Sequence, residues 1–469
     1  MRFFAITAII CVIGLADVSA DEAIDGNSRA CAGLKYFSER QVSVAMPMLL
    51  QSINEVQNDF VALEYIGAAY TMAARRLANR KRKNREHHKK LVKQEKNALQ
   101  QACFYFGKAI AAYDYRHETD GDHSTTVREN IDPLNYPQIE YANDHRQVLR
   151  SYGDALRWLG RKKESRSVFE RGVYLKLWKT TTCRPINPLP VVEFAKIDSA
   201  QNVERNHNAY FLNNKLFSYI LDPIQKKILP ALKEFFSVKA VQRNESLYLR
   251  ESFYSSTFPW RPDSGGLARG GGWYSMVFSR DGIPNDEVLR YFPKLKEVFS
   301  ENWLETHPSL IVKSGQIKLS LMTNGTHIRP HAGPSNSRLR MHCALIVPNN
   351  YAKETKNRGL FLRVGNQKKK WEIDQCFIFD ESCEHEVKLP KSMDMPRLVL
   401  IVDFANILLE TRDGYINNGI NMKYLKKAKS QLARDRIIQT LDNEYYNFHE
   451  NLKRNARQGI ENSYQADML

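Results

Sequence analysis

Missing from this 469-residue chain are a second long apolar run, any CxxC pair and any Cys/His spacing that would bind zinc. The first absence excludes a multi-span membrane protein, and the second a zinc module. Acidic residues are also short, 52 against 69 Lys plus Arg, for a net charge of +17. The composition, 43% hydrophobic and 26% charged, excludes a wholly disordered or collagenous chain. At roughly 150 residues per domain, the length suggests two or three domains with a real core.

The positive charge is concentrated. Between Arg75 and Lys96 stand Arg75, Arg76, Arg80, Lys81, Arg82, Lys83, Arg85, Lys89, Lys90, Lys93 and Lys96, opposed only by Glu86 and Glu95. That segment carries about half of the excess, so the global charge does not signal nucleic acid. The run reads either as a solvated helix face or as a docking surface for an acidic partner or lipid headgroups.

At the amino terminus Arg2 precedes an apolar run from Phe3 to Ala16, then Val18-Ser-Ala20 and Asp21-Glu22. One basic residue, a short apolar stretch and small residues before the break describe a signal peptide over residues 1–20. The stretch is shorter than the roughly 20 residues that cross a bilayer. The expected address is the secretory pathway, in the endoplasmic reticulum lumen or secreted, with membrane attachment only if the signal stays uncleaved. Six cysteines then remain (Cys31, Cys103, Cys183, Cys343, Cys376 and Cys383), an even number in an oxidising compartment, with no pairing deducible. Asn244-Glu-Ser and Asn324-Gly-Thr are candidate glycosylation sites.

Residues 30–182 read as helices. Phe60, Leu63, Ile66, Gly67 and Tyr70 recur at helical spacing, as do Cys103, Phe106, Ala109, Ile110 and Tyr113. Around the Leu159-Gly160 turn, Leu149, Tyr152, Ala155 and Leu156 face Val168, Phe169, Gly172 and Val173, a tetratricopeptide-like hairpin or an ordinary helical pair. The prolines of Cys183–Pro190 cannot continue a helix, so residues 183–200 are placed as a linker. Over residues 201–410, a helix near Pro223–Ser237 leads into short segments separated by Gly, Pro and Asn. These are Ser246–Ser252, Trp273–Ser279, Ile317–Met322, Arg338–Val347, Phe361–Val364, Cys376–Phe379 and Arg397–Asp403, the signature of a β-sandwich or barrel. Residues 411–469 turn helical and polar again.

Strand alternation puts Arg338, Arg340 and His342 on one face. That face is either the solvent side or one that meets an anion, since buried cations need a partner. Ser320 and Met322 share a face of the preceding strand, His331 follows in a turn, and His385 comes just after the apolar strand Cys376–Phe379. Arg397 opens the strand twelve residues after His385. Two imidazoles suit a mononuclear Fe(II) site, and a guanidinium grips a carboxylate bidentately.

Four long motifs stand in order: Gly315-Gln-Ile-Lys-Leu-Ser-Leu-Met322, Gly325-Thr-His-Ile-Arg-Pro-His-Ala-Gly-Pro-Ser-Asn-Ser-Arg-Leu-Arg-Met-His342, Phe377-Ile-Phe-Asp-Glu-Ser-Cys-Glu-His-Glu-Val387 and Pro396-Arg-Leu-Val-Leu-Ile-Val-Asp403. Together, with a weaker match back to Gly270-Gly-Gly-Trp273, they closely resemble the aspartyl/asparaginyl β-hydroxylase family. The resemblance implies an α+β chain in which a tetratricopeptide-like region precedes a double-stranded β-helix, or jelly-roll, oxygenase domain. It makes His331 and His385 the catalytic iron ligands. Arg397 and Ser320 would hold the distal carboxylate of 2-oxoglutarate, and Arg340 and His342 its other end. Met322 and Trp273 would line the cosubstrate pocket, while Arg338 and, nearby, Arg269 would face the substrate. The implied reaction is β-hydroxylation of Asp or Asn in epidermal-growth-factor-like domains, consuming O2 and 2-oxoglutarate and releasing succinate and CO2.

Gly333 stands where many related oxygenases carry an acidic ligand, and the family shares that gap. Other features depart from the family. No cysteine lies between Trp273 and Ser320, so a disulfide loop that shapes the substrate site in other members is absent, and Phe404-Ala-Asn406 replaces the familiar Trp-His-Pro. These departures leave two alternatives open: the same chemistry on another protein or small molecule, or a non-catalytic scaffold retaining the fold.

Overall fold

The computed structural model describes residues 33, 36–37, 41–55, 59–83, 88–119, 139–191, 210–236, 259–263, 267–299, 306–348, 360–393, 395–421 and 431–466. The expected signal peptide, the Asn244 sequon and the expected strand Ser246–Ser252 lie outside them. The chain divides into two compact units, residues 1–186 and 187–469. No helix among the described residues is long and apolar enough to cross a membrane.

The first unit is helical: α1 (Val42–Glu55), α2 (Phe60–Lys83), α3 (His88–Thr119), α4 (Ile139–Trp158) and α5 (Lys162–Tyr174). Leu63, Phe106, Ala109, Leu149 and Phe169 meet in one buried cluster, the residues whose spacing marks these helices. Small residues let the helices approach. A Cβ on Gly67 would stand 2.7 Å from the Phe106 ring, and one on Gly153 2.2 Å from that of Phe169. Gly160 ends α4 at φ +87°, a backbone region that glycine adopts without strain. On the exposed faces of α2 and α3 lie Arg76, Lys89, Lys90, Lys93 and Lys96, whereas Glu95 is buried.

The second unit carries thirteen strands among its described residues: β1 (Phe211–Leu212), β2 (Arg261–Pro262), β3 (Ala268–Arg269), β4 (Trp273–Arg280), β5 (Ile283–Pro284), β6 (Gln316–Met322), β7 (His327–His331), β8 (Arg338–Ile346), β9 (Phe361–Val364), β10 (Gln367–Lys369), β11 (Cys376–Phe379), β12 (His385–Lys388) and β13 (Arg397–Ala405). All the strand pairs are antiparallel. The larger sheet runs β1-β11-β8-β13-β6-β4-β2 with β5 beside β4, and the smaller runs β10-β9-β12-β7-β3.

Alternation sorts the larger sheet into two chemically different faces. Leu319, Leu321, Leu339, Met341, Ile378, Leu398, Leu400, Val402 and Phe404 face a helix-covered apolar core. The opposite face carries Trp273, Lys318, Ser320, Met322, Arg338, Arg340, His342, Phe377, Phe379, Arg397 and Asp403. This polar face positions the site. Cys343 and Cys376 stand directly opposite each other in β8 and β11 and form a disulfide. Cys183 and Cys383 are also disulfide-bonded, while Cys103 is free and buried.

The C-terminal helix α6 (Gln431–Ala466) belongs to the same core, which it enters through Ile437, Leu441, Tyr445 and Phe448. The tail expected as a polar extension thus buries one apolar stripe. Beside that stripe, burial raises the Glu444 carboxyl to about 7, facing Tyr219 and the Tyr415 hydroxyl, which donates to it at 3.2 Å. A carboxyl raised in the folded state makes stability fall as pH rises from its ordinary value of 4.5 to about 7, with the penalty constant above. Glu444→Gln keeps an acceptor for Tyr415 without the charge. We expect it to add about 1–3 kcal/mol near pH 8 and nothing near pH 4, read as the difference between two thermal-denaturation series.

Candidate active site

The two histidines arrive from the smaller sheet. His385 opens β12 and pairs in register with His331 at the end of β7, their ring centroids 4.2 Å apart. Simple alternation from the buried Ile328 would turn His331 to the opposite face. A bulge corrects this: Ile328 and His331, three apart, face Val387 and His385, two apart. Pro330, which has no N–H to donate to a ladder, sits in that bulge. The expected turn at His331 is therefore the end of a bulged strand.

Each ring is oriented from behind. His331 Nδ1 lies 2.8 Å from the Arg329 carbonyl and His385 Nδ1 2.8 Å from that of Cys383. A carbonyl only accepts, so both Nδ1 atoms carry a proton and donate. Burial, then His385, holds His331 well below the usual histidine range, which keeps it neutral. Among the described residues no group of three or more His, Cys, Asp or Glu side chains forms a metal cage.

Gly333 shows why no acid follows His331. A Cβ there would lie 2.8 Å from Glu381 Cγ and 2.9 Å from the Glu381 carbonyl oxygen, to which Gly333 N–H donates at 2.6 Å. The space is taken by Glu381, from the loop between β11 and β12. Its buried carboxylate pairs with Arg338, and with Arg340 Nη1 at 2.6 Å. Arg340 also meets Asp403 bidentately, at 2.7 and 3.0 Å. Burial disfavours both charges, but the ion pairs outweigh it, lowering Glu381 and raising Arg340. Arg338 donates further to the Ser314 carbonyl at 2.9 Å.

Arg340, expected at one end of 2-oxoglutarate, and Arg338, expected against the substrate, both lie on the site face, where each guanidinium also meets a carboxylate of the chain itself. The expectation for Arg269 is corrected. It pairs in register with His327, whose ring meets Glu386 at 2.9 Å, and Glu386 alternates with the inward His385. Arg269 therefore stands exposed on the outer face of the smaller sheet and is not brought to the site.

Arg397 is different. It is 1% exposed, and its Nη2 donates to Ser320 Oγ at 3.1 Å, while Nε and Nη1 have no partner. Burial lowers it to about 9. Its Cζ lies 4.7 Å from the Trp371 ring centroid, and His342 stacks on the same indole at 6.1 Å. Both His342 nitrogens are buried and unbonded, and burial, then Arg397, pushes that imidazole well below its usual range. Trp273 Nε1 donates to Ser320 Oγ at 3.1 Å, so with Arg397 also donating, the hydroxyl proton remains free to point at a ligand. Met322, fully buried, shares a rung with Trp273 and Arg397. Phe377 and Phe379 wall the His342 side. Glu381, Asp403 and Trp371 were not foreseen as site residues.

The Asn324 sequon lies in the β6–β7 turn. Its amide nitrogen donates to the Met393 carbonyl, and Thr326 is fully buried, with its hydroxyl bonded to the Thr323 and Gly272 carbonyls. A glycan on Nδ2 would displace the Met393 bond, so the folded turn does not favour the modification expected there.

An antiparallel β domain thus brings together a pair of facing histidines and a buried guanidinium with two unbonded nitrogens, an arrangement suited to a small anion. Residues 238–406 match the family described as Aspartyl/Asparaginyl beta-hydroxylase. The aspartyl/asparaginyl beta-hydroxylase of Mus musculus is 34% identical over 172 residues, 35% of this chain and 21% of that protein. The Homo sapiens protein of that name is 34% identical over 170 residues, 35% of this chain and 20% of that protein. The chain thus matches about a fifth of these relatives' length. An ornithine lipid ester-linked acyl 2-hydroxylase of Rhizobium tropici is 39% identical over 89 residues, 19% of this chain and 29% of that protein. A solved Pseudomonas putida prolyl-4-hydroxylase overlaps 42% of this chain and 90% of its own at 14% identity, with a TM-score of 0.22. Overlap that weak bears on neither fold nor function.

Proposed function

We propose that this chain is an Fe(II)- and 2-oxoglutarate-dependent dioxygenase that hydroxylates Asp or Asn side chains of proteins in the secretory pathway, epidermal-growth-factor-like domains among them. The observation that carries the reading is the in-register pairing of His331 with His385 in the same domain as a buried guanidinium with two unbonded nitrogens. His331 and His385 would hold the metal. Arg397, Ser320 and His342 would take the far carboxylate of the cosubstrate, with Met322, Trp273 and Trp371 lining its path. When bound, iron and 2-oxoglutarate supply the oxidising chemistry, with O2 consumed and succinate and CO2 released. The chain's own share is positional. Carbonyls of Arg329 and Cys383 hold the ring protons at Nδ1, Arg397 neutralises the incoming charge, and Phe377, Phe379 and Trp371 keep water away from it.

On this reading the two sheets are the halves of a double-stranded β-helix, and the first unit is a tetratricopeptide-like region. Residues 1–20 act as a signal peptide and direct the chain to the endoplasmic reticulum lumen or beyond. Three pieces of sequence and structure are consistent with that address: the apolar amino terminus, the four bonded cysteines and the Asn244 sequon. The exposed lysines of α3, with their one described acid buried, suit an acidic protein partner. An anionic lipid surface is typical of the cytoplasmic leaflet, which a lumenal chain does not meet.

A second reading, the same chemistry on a small molecule or lipid, draws on the Rhizobium tropici relative, whose name describes acyl 2-hydroxylation. The Arg397–Ser320 contact and the two-imidazole arrangement argue against a scaffold. The deciding assay is succinate release by the purified chain with Fe(II), with and without an epidermal-growth-factor-like peptide. Peptide-stimulated succinate and a +16 Da peptide are expected, both lost in His331→Ala. Turnover without a modified peptide would move the assignment to the second reading. No turnover and no metal binding would sink both.

A further inference from the structure

The short loop between β11 and β12 combines three features within five residues. Glu381 neutralises Arg338 and Arg340, Cys383 is disulfide-bonded, and His385 begins the next strand. Cys383 is 4% exposed, its N–H donates to the Asp380 carbonyl at 3.2 Å, and its own carbonyl accepts a hydrogen bond from His385 Nδ1 at 2.8 Å. The equivalent acceptor for His331 is the carbonyl of Arg329, inside strand β7 and remote in sequence from any cysteine. One imidazole is thus oriented by a ladder strand and the other by a loop residue under a covalent tie.

We propose that Cys383 is a positioning residue. Its disulfide holds the carbonyl that orients His385, so metal retention at this site depends on the thiol–disulfide state of the chain. The inference rests on the metal reading of the two histidines. The physical step is a loss of restraint. Reduction by a dithiol transfers two electrons and two protons, opens the S–S bond into two thiols and oxidises the dithiol to its own disulfide. The Asp380–Glu384 loop then regains freedom that the cross-link removed. The direction of the Cys383 carbonyl is no longer enforced, and the ring it held can rotate. Groups behind a metal-bound imidazole typically change metal affinity by about 10–100-fold.

The test uses the full chain labelled with 15N-histidine. Two downfield ring N–H resonances are expected from the oxidised protein, one for each imidazole bonded to a carbonyl. Titration with a dithiol should broaden or shift the His385 signal and spare that of His331, while Mn(II) affinity, followed by electron paramagnetic resonance, falls at least about tenfold. Cys383→Ala, with its partner cysteine identified by mass spectrometry and replaced too, should reproduce both effects without added reductant. Cys343→Ala/Cys376→Ala removes the disulfide between β8 and β11, which faces the apolar core. It should lower Tm and leave both ring signals in place.

Unchanged ring signals and Mn(II) affinity within twofold after complete reduction of Cys383 would overturn the proposal. So would simultaneous loss of both signals, which would mean that the disulfide supports the domain and not one ligand. If the oxidised protein binds no divalent metal at all, the hydroxylase reading fails, while the ring N–H signals still decide whether Cys383 orients His385.

Discussion

Arg397→Met abolishes measurable binding of 2-oxoglutarate and, in the protein alone, raises Tm. The two halves of this expected result come from one fact. Each of the other cations on this interior face meets a carboxylate: Lys318 meets Asp263 at 3.3 Å, Arg338 meets Glu381, and Arg340 meets Asp403 and Glu381. Among the described residues Arg397 has the Ser320 hydroxyl and the Trp371 ring beside it but no carboxylate, and two of its nitrogens are buried without a hydrogen-bond partner. A charge removed from water without compensation destabilises the fold, and an apolar side chain of similar length removes that cost. An arriving dianion would supply the missing partner. Deleting one member of a buried, hydrogen-bonded charge pair costs about 2–5 kcal/mol, enough to take affinity out of the working range. Calorimetry with 2-oxoglutarate and a thermal shift series check both halves. A variant that still gains Tm from 2-oxoglutarate would place the cosubstrate elsewhere.

Much of the site was legible because strand alternation is a local property. The apolar rows Ile317/Leu319/Leu321 and Leu398/Leu400/Val402 mark one face of β6 and β13, which puts Ser320 and Arg397 on the other. The helices of the first unit were readable for the same reason, from spacings of three and four. What stayed hidden depends on pairing between distant segments. Asp403 lies opposite Arg340 only once β8 and β13 are in register, and Cys343 faces Cys376 only once β8 and β11 are. Glu381 sits in a loop, and its role follows from the space beside Gly333. Arg269 misled because nearness in sequence to Trp273 says nothing about which sheet it joins. The bulge at Arg329-Pro330 reverses the direction that alternation predicts for His331, and a proline in a five-residue strand reads as a turn. The stripe Ile437, Leu441, Tyr445 and Phe448 has helical spacing, but the helix around it is polar enough to read as solvated.

The largest loss of stability is expected from Glu381→Ala. Its carboxylate is 2% exposed and stands between two guanidinium groups, of which Arg338 has, among the described residues, only the Ser314 carbonyl as its other partner. Removing it leaves an uncompensated buried charge and a cavity, a change that costs about 3–5 kcal/mol in comparable buried pairs. Glu381→Ala/Arg338→Met should recover a large part of this, because the second substitution removes the charge the first one stranded. Denaturant titration of the four proteins of this cycle gives the coupling energy directly. Near-additive losses would mean that Arg340, anchored by Asp403, absorbs the change alone. The same geometry bears on Gly333. An aspartate there would restore a two-histidine, one-carboxylate set, but its Cβ would meet Glu381 at 2.8–3.0 Å. The chain cannot hold both acids in that space, so the glycine after His331 and the carboxylate of Glu381 are two parts of one packing solution.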